Sequence, residues 1–176
     1  MSVITAQATE VDLDSNDNIE IDTCWKAWNG LCGTRPLPRW SEDFDWFAFP
    51  VHLLPYFVVV DVIDDGDDFR YRFWGTAHTD IFRQDYTGKR VSEIKPAVVS
   101  VELRQQYRRV RDTAAPCLFT LDVIDDTHFS LPVREISLRL PFVSEDGTIS
   151  RIVSFSDNRR QSHDFKEFFA ALPNGR

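Results

Sequence analysis

The spacing of apolar residues in the first half of the chain predicts a β-hairpin. Residues 56–63 (YFVVVDVI) are nearly all apolar and rich in β-branched side chains, which is typical of a strand buried on both faces. Residues 69–76 alternate instead, so that Tyr71 and Phe73 are predicted to share one face and Trp74 to lie on the other. The polar segment DDGDD between them has the composition of a tight turn, and the two strands are therefore predicted to pair.

Three further strands are predicted near the end of the chain, at residues 117–124, 132–143 and 149–156. Between the hairpin and these strands, residues 77–94 lack a strand pattern and predict short helices. A longer helix follows at residues 98–114, where apolar positions recur at helical spacing. The predicted fold class is therefore α+β: a five-stranded antiparallel sheet with a helical insert after the second strand, plus N- and C-terminal helices.

The predicted helices at both ends of the chain carry apolar stripes. In residues 19–31 the stripe includes two tryptophans, and it needs a surface to cover, either the sheet of the same chain or a second copy. We predict a homodimer with an interface at Ile21, Trp25 and Trp28. The chain divides into four predicted segments: a flexible leader at 1–18, an N-terminal helix with a proline-rich lead-in at 19–55, the core at 56–158 and a C-terminal helix at 159–176.

Net charge and cysteine content narrow the functional classes. With 176 residues, a net charge of −8 and a pI of about 4.9, the chain is predicted not to bind nucleic acid or an anionic membrane. No apolar run approaches the ~20 residues that span a bilayer, and the N-terminus lacks the features of a signal peptide. Three cysteines, an odd number, favour reduced thiols and a cytoplasmic location.

Two neighbouring segments resemble a known family. Residues 69–77 (FRYRFWGTA) and 81–90 (IFRQDYTGKR) resemble the bacterial PAS-like family of small single-domain proteins, whose members carry an RYRLVGTA…GRDLTGR segment. Residues 35–39 (RPLPR) and 53–55 (LLP) are similar to the lead-in of that family. Arg83 departs from the pattern at a position where members commonly have glycine. The resemblance implies a sensory or interaction domain with a pocket between a curved sheet and the helices packed across it.

The residues near this expected pocket are the candidate ligand-binding residues. Gly75 ends a strand at a point where a backbone segment or a ligand can approach closely, and His78 begins the helical insert. The aromatic side chains could line an apolar cavity or could simply fill the core, and the sequence leaves both possibilities open. The predicted ligand-binding set is Tyr71, Phe73, Gly75, His78, Phe82, Phe119 and Phe155.

The predicted function is that of a stand-alone, non-catalytic sensory module that binds a small molecule or a partner protein. No enzyme motif, metal-ligand spacing or flavin-attachment motif is present in the sequence, and no cofactor is identified. The alternative is a small cone-shaped α+β hydrolase, isomerase or cyclase that uses His78 with Asp80. Residues i and i+2 of a helix point in different directions, which disfavours that pair.

Overall fold

Six antiparallel strands form the sheet of this protein. The computed structural model describes residues 3–125, 132–158 and 162–172. Along the sheet the strands follow the order β1-β4-β5-β6-β2-β3, which places β5 and β6 in the middle. Their bounds are Ile4–Val11 (β1), Phe57–Ile63 (β2), Asp68–Trp74 (β3), Cys117–Asp125 (β4), Val133–Val143 (β5) and Ile149–Asp157 (β6).

The helices begin and end at residues that suit those positions. Asn18 accepts hydrogen bonds from the amides of Glu20 and Ile21 and so caps the first helix. The longest helix follows Pro96 and ends at Ala114, which has a left-handed backbone. The helix bounds are Ile19–Cys32 (α1), Trp40–Asp43 (α2), Thr76–Phe82 (α3), Ala97–Thr113 (α4) and Ser162–Ala171 (α5). The predicted α+β fold, with helices inserted after the hairpin, is confirmed.

The sheet has a hydrophobic core on each face. Helices α3, α4 and α5 cover one face, and α1 with the proline-rich lead-in covers the other. Ile21 is 0% exposed and Trp28 is 4% exposed, and the Trp28 indole donates to the Pro141 carbonyl at 3.0 Å. Both side chains are therefore buried by contacts within one chain. The predicted dimer interface is wrong at these two positions, because neither side chain is accessible to a second copy. Trp25 is only partly buried.

The first strand replaces most of the predicted leader. Ile4–Val11 pairs with β4 along its whole length, so the sheet has six strands rather than five. Helix α4 fixes this strand from the side, because the Glu102 carboxylate accepts from the Ala8 amide at 2.7 Å. The strand alternates Ile4, Ala6 and Ala8, which pack against the core, with exposed polar residues. Most of its apolar residues are small, so the alternation is a weak sequence signal.

The hairpin contains a β-bulge, and the predicted alternation of side chains in its second strand is wrong beyond that point. Val59 pairs with Phe73 and Val60 pairs with Tyr71, so Arg72 has no opposite residue on β2. One extra residue reverses the side-chain alternation beyond it. As a result Phe73 packs in the core on the α1 side, whereas Trp74 joins Tyr71 on the side of the inserted helices.

Candidate functional site

A small cavity lies between the sheet and the inserted helices. Strands β2, β3, β5 and β6 contribute its floor, and α3 and α4 contribute its roof. The cavity volume is ≈ 20 Å³, and a water molecule needs about 10–15 Å³ on the same measure. The lining residues are Val58, Tyr71, Trp74, His78, Phe82, Leu103, Tyr107, Glu135, Arg139, Ser154 and Ser156.

The cavity brings together three of the seven predicted ligand-binding residues, namely Tyr71, His78 and Phe82. Phe155 is wrong as a cavity residue, because it packs in the core on the α1 side. Its neighbours Ser154 and Ser156 face the cavity instead, as expected from the alternation of a strand.

The other three predicted residues also lie outside the cavity lining. Phe73 is excluded by the bulge described above, and Phe119 belongs to the helix-side core. At Gly75 a backbone segment approaches: a Cβ there would lie 2.1 Å from the Pro55 carbonyl oxygen. The Gly75 amide also donates to the Phe57 carbonyl at 2.9 Å. Gly75 is therefore required by backbone packing.

Arg139 is the central polar residue of the cavity, and sequence reasoning missed it. It lies in the middle of β5 and is 2% exposed. Its Nε and Nη2 donate to Gln106 Oε1 at 2.9 and 2.6 Å, and its Nη1 donates to Ser154 Oγ at 2.8 Å. The guanidinium carbon lies 4.2 Å from the centre of the Tyr107 ring. Within the described residues, no carboxylate forms an ion pair with this buried cation.

Glu135 places a carboxylate in the same cavity, four residues before Arg139 on the same strand. It is buried, and its Oε1 accepts hydrogen bonds from the hydroxyls of Ser137 at 2.6 Å and Ser156 at 3.4 Å. The cavity therefore carries one positive and one negative side chain that are not ion-paired with each other. Burying two charges that are not ion-paired is energetically unfavourable. Packing of the core alone therefore does not explain these two residues.

His78 lies at the cavity as a neutral side chain. It is 3% exposed, and its Nε2 lies 3.1 Å from the Tyr56 carbonyl oxygen, which assigns the proton to Nε2. Burial lowers the pKa of His78 below its usual value of 6.5, against the opposing effect of the Glu135 charge. Asp80 is exposed, so His78 and Asp80 do not share a pocket. Across the described ranges, no group of three or more His, Cys, Asp or Glu side chains could hold a metal ion.

Aromatic rings form the outer wall of the cavity. The Trp74 ring lies 4.8 Å from Tyr71 and 5.2 Å from Phe82, both edge-on. The buried Trp74 Nε1 has no hydrogen-bond partner in the part of the chain that the structure describes. Burial raises the pKa of Tyr71 well above its usual value of 10, so its hydroxyl stays protonated. Phe82 in turn lies 4.2 Å from Phe169 of α5, which links the cavity wall to the C-terminal helix.

The hairpin, the inserted helices and the further strands around a small cavity define an α+β domain. A family model described as PAS domain matches residues 18–155, more than half of the chain, and the chain therefore belongs to the PAS domain family. No curated protein and no solved structure matches the chain. As a PAS domain it is a sensory or interaction module of a generally non-enzymatic family. No helix within the described residues has the length and apolar character needed to cross a membrane.

Proposed function

We propose that this PAS domain senses a small molecule that binds in the cavity beneath α3 and α4. The observation that carries the proposal is Arg139, a buried cation that lines the cavity and has only neutral hydrogen-bond partners among the described residues. A core that served only for packing would be expected to place an apolar residue there, because a buried charge that is not ion-paired is destabilising.

Because the cavity is small, a side chain of its wall would have to move before a ligand larger than water could enter. Phe82 is only partly buried and lies at the end of α3, a helix of 7 residues. We propose that the Phe82 ring rotates outward when a ligand binds, which would enlarge the cavity and change the contact of this ring with Phe169. A ligand that favours the rotated ring therefore also changes the packing of α5, which provides a route from the cavity to the surface.

Output through a homodimer or a partner protein is part of the same proposal. Trp25 remains partly accessible on α1, whereas Ile21 and Trp28 are buried.

A cytoplasmic location is also proposed, supported by three buried, unpaired cysteines. Burial raises the pKa of Cys24 to about 12, so this thiol is unreactive at neutral pH.

The test is a thermal-unfolding screen of the purified protein against several hundred small metabolites, together with native mass spectrometry for a co-purified molecule. A ligand of this cavity raises the melting temperature of the wild type but not that of a cavity-filling variant, Leu103→Phe. Circular dichroism establishes that this variant is folded. The proposal is overturned if no compound stabilises the wild type, or if the same compounds stabilise Leu103→Phe equally.

A further inference from the structure

We infer that the cavity recognises a small monocarboxylate, with the carboxylate bound by Arg139. This inference rests on the proposed function above, because it specifies the ligand of the same site. It follows from three properties of the cavity: the free donors of the guanidinium, the donor character of the other unsatisfied groups, and the charge of Glu135.

Arg139 has donors left for a ligand. A guanidinium carries five N–H groups in a fixed planar fork, and three of those in Arg139 donate to Gln106 and Ser154. Two N–H groups therefore have no partner among the described residues. One of these N–H groups is on Nη1 and the other is on Nη2. Two donors on one planar guanidinium suit the two oxygens of a carboxylate, a pairing that Arg forms more readily than Lys does.

The neighbouring unsatisfied polar groups are also donors. Trp74 lines the cavity, is more than nine-tenths buried, and its Nε1 lacks a partner within the described part of the chain. The Gln106 amide is oriented by Arg139, because the reverse orientation would set its NH₂ group against the guanidinium. Its Nε2 is consequently a buried donor without a described partner next to Arg139, although Gln106 itself does not line the cavity. Acceptor atoms on a ligand would satisfy the unpartnered buried donors of Arg139 and Trp74.

Glu135 limits the charge and size of the ligand. Its carboxylate lines the same cavity, and the two lining side chains whose pKa values both charges influence, His78 and Tyr71, are neutral. A second carboxylate on the ligand would meet like charge there, so a dicarboxylate is disfavoured. With a cavity of ≈ 20 Å³ before Phe82 moves, the ligand is restricted to a short acid. Val58 and Leu103 provide apolar contacts for its carbon atoms.

The test compares acetate and propionate with acetamide, the neutral analogue of acetate, and with malonate, a short dicarboxylate. Binding is measured by calorimetry and by thermal unfolding at constant ionic strength, with sodium chloride as the balancing salt. We expect acetate and propionate to bind saturably and to raise the melting temperature. Acetamide and malonate are expected to bind at least tenfold more weakly.

Variants on a single strand assign the binding to Arg139. Arg139→Gln is expected to weaken acetate binding at least tenfold. Arg134→Gln is the matched control, because Arg134 lies on β5 as well, outside the cavity lining and paired with Asp122. It should retain wild-type affinity. If Arg139→Gln does not fold, Arg139→Lys keeps the charge without the planar fork, and it too should lose acetate affinity.

The outcomes separate this inference from the proposed function. If a neutral compound from the metabolite screen stabilises the wild type and no carboxylate does, the inference is overturned and the sensory ligand site is retained. If no compound binds, both are overturned. Unchanged acetate affinity in Arg139→Gln, or in a folded Arg139→Lys, also overturns the assignment, as does binding of acetamide as tight as that of acetate.

Discussion

Replacement of Gly75 by alanine tests the packing of the hairpin against its lead-in. Gly75 has φ −63° and ψ 148°, a conformation that alanine adopts without strain. Any loss of stability in Gly75→Ala must therefore come from the space around the new methyl group. That space is occupied by backbone, because the added Cβ would lie 2.1 Å from the Pro55 carbonyl oxygen and 2.7 Å from the Phe57 carbonyl oxygen.

The magnitude follows from how far the backbone must move. To reach the 3.4 Å at which ordinary contact begins, the Pro55 oxygen and the methyl group must separate further by about 1.3 Å. Overpacking of this kind destabilises proteins by about 1–3 kcal/mol. The shift also strains the hydrogen bond from the Gly75 amide to the Phe57 carbonyl, which contributes about 1 kcal/mol. We expect Gly75→Ala to lower the free energy of unfolding by about 2–4 kcal/mol.

Urea denaturation and thermal unfolding measure this loss, and Gly30→Ala provides a control of opposite sign. Gly30 lies in α1, and an added Cβ there meets no atom within 4 Å. Alanine in a helix interior is more favourable than glycine by about 0.5–1 kcal/mol, so Gly30→Ala should stabilise the protein. Wild-type stability in Gly75→Ala would show that β3 and the lead-in do not pack as described.

Three further substitutions probe the cavity histidine, a strained helix end and the edge strand. Because the pKa of His78 is lowered in the folded state, the unfolded chain binds more protons below pH 6.5, and stability falls as pH decreases. In urea denaturation at pH 7.0 and 5.5, His78→Asn should reduce that fall by up to about 1.4 kcal/mol per pH unit, whereas His52→Asn, at an exposed position, should not. Arg83→Gly relieves a left-handed backbone (φ 58°) and should raise the melting temperature by about 2–4 °C; a decrease would indicate a stabilising role for the arginine side chain. Glu102→Ala removes the acceptor for the Ala8 amide, so hydrogen exchange of that amide should accelerate at least several-fold, and unchanged protection would refute the role assigned to Glu102.

The hairpin illustrates what the sequence could predict and where it could not. Strands 57–63 and 68–74 follow from their apolar patterns, since period and turn composition are local properties. The bulge at Arg72 inserts one residue without glycine or another sequence signature, so Phe73 and Trp74 exchange faces relative to a regular strand. Two of the errors in the predicted pocket and sheet faces arise from this single residue.

Arg139 could not be assigned to the site from the sequence for a different reason. An arginine in an apolar strand segment (ISLRLPFV) is a signal that could have been followed, because a charged residue in the middle of a sheet is unusual. Its contacts are with Gln106, Ser154 and Tyr107, which come from two other elements and meet it only after folding. Such convergence of distant residues leaves no pattern of spacing in the chain.

The strands and the helix that line the cavity differ in how firmly the rest of the protein packs around them. This difference determines which of them could move when a ligand binds. Strands β5 and β6 pair on both sides and are packed on both faces, so their backbone has little freedom to respond. Helix α3 is short, contributes His78 and Phe82 to the cavity, and contacts α5 on its outer side. If the proposed ligand binds Arg139, we therefore expect the sheet to stay in place and any change that reaches a partner to occur in α3 and α5.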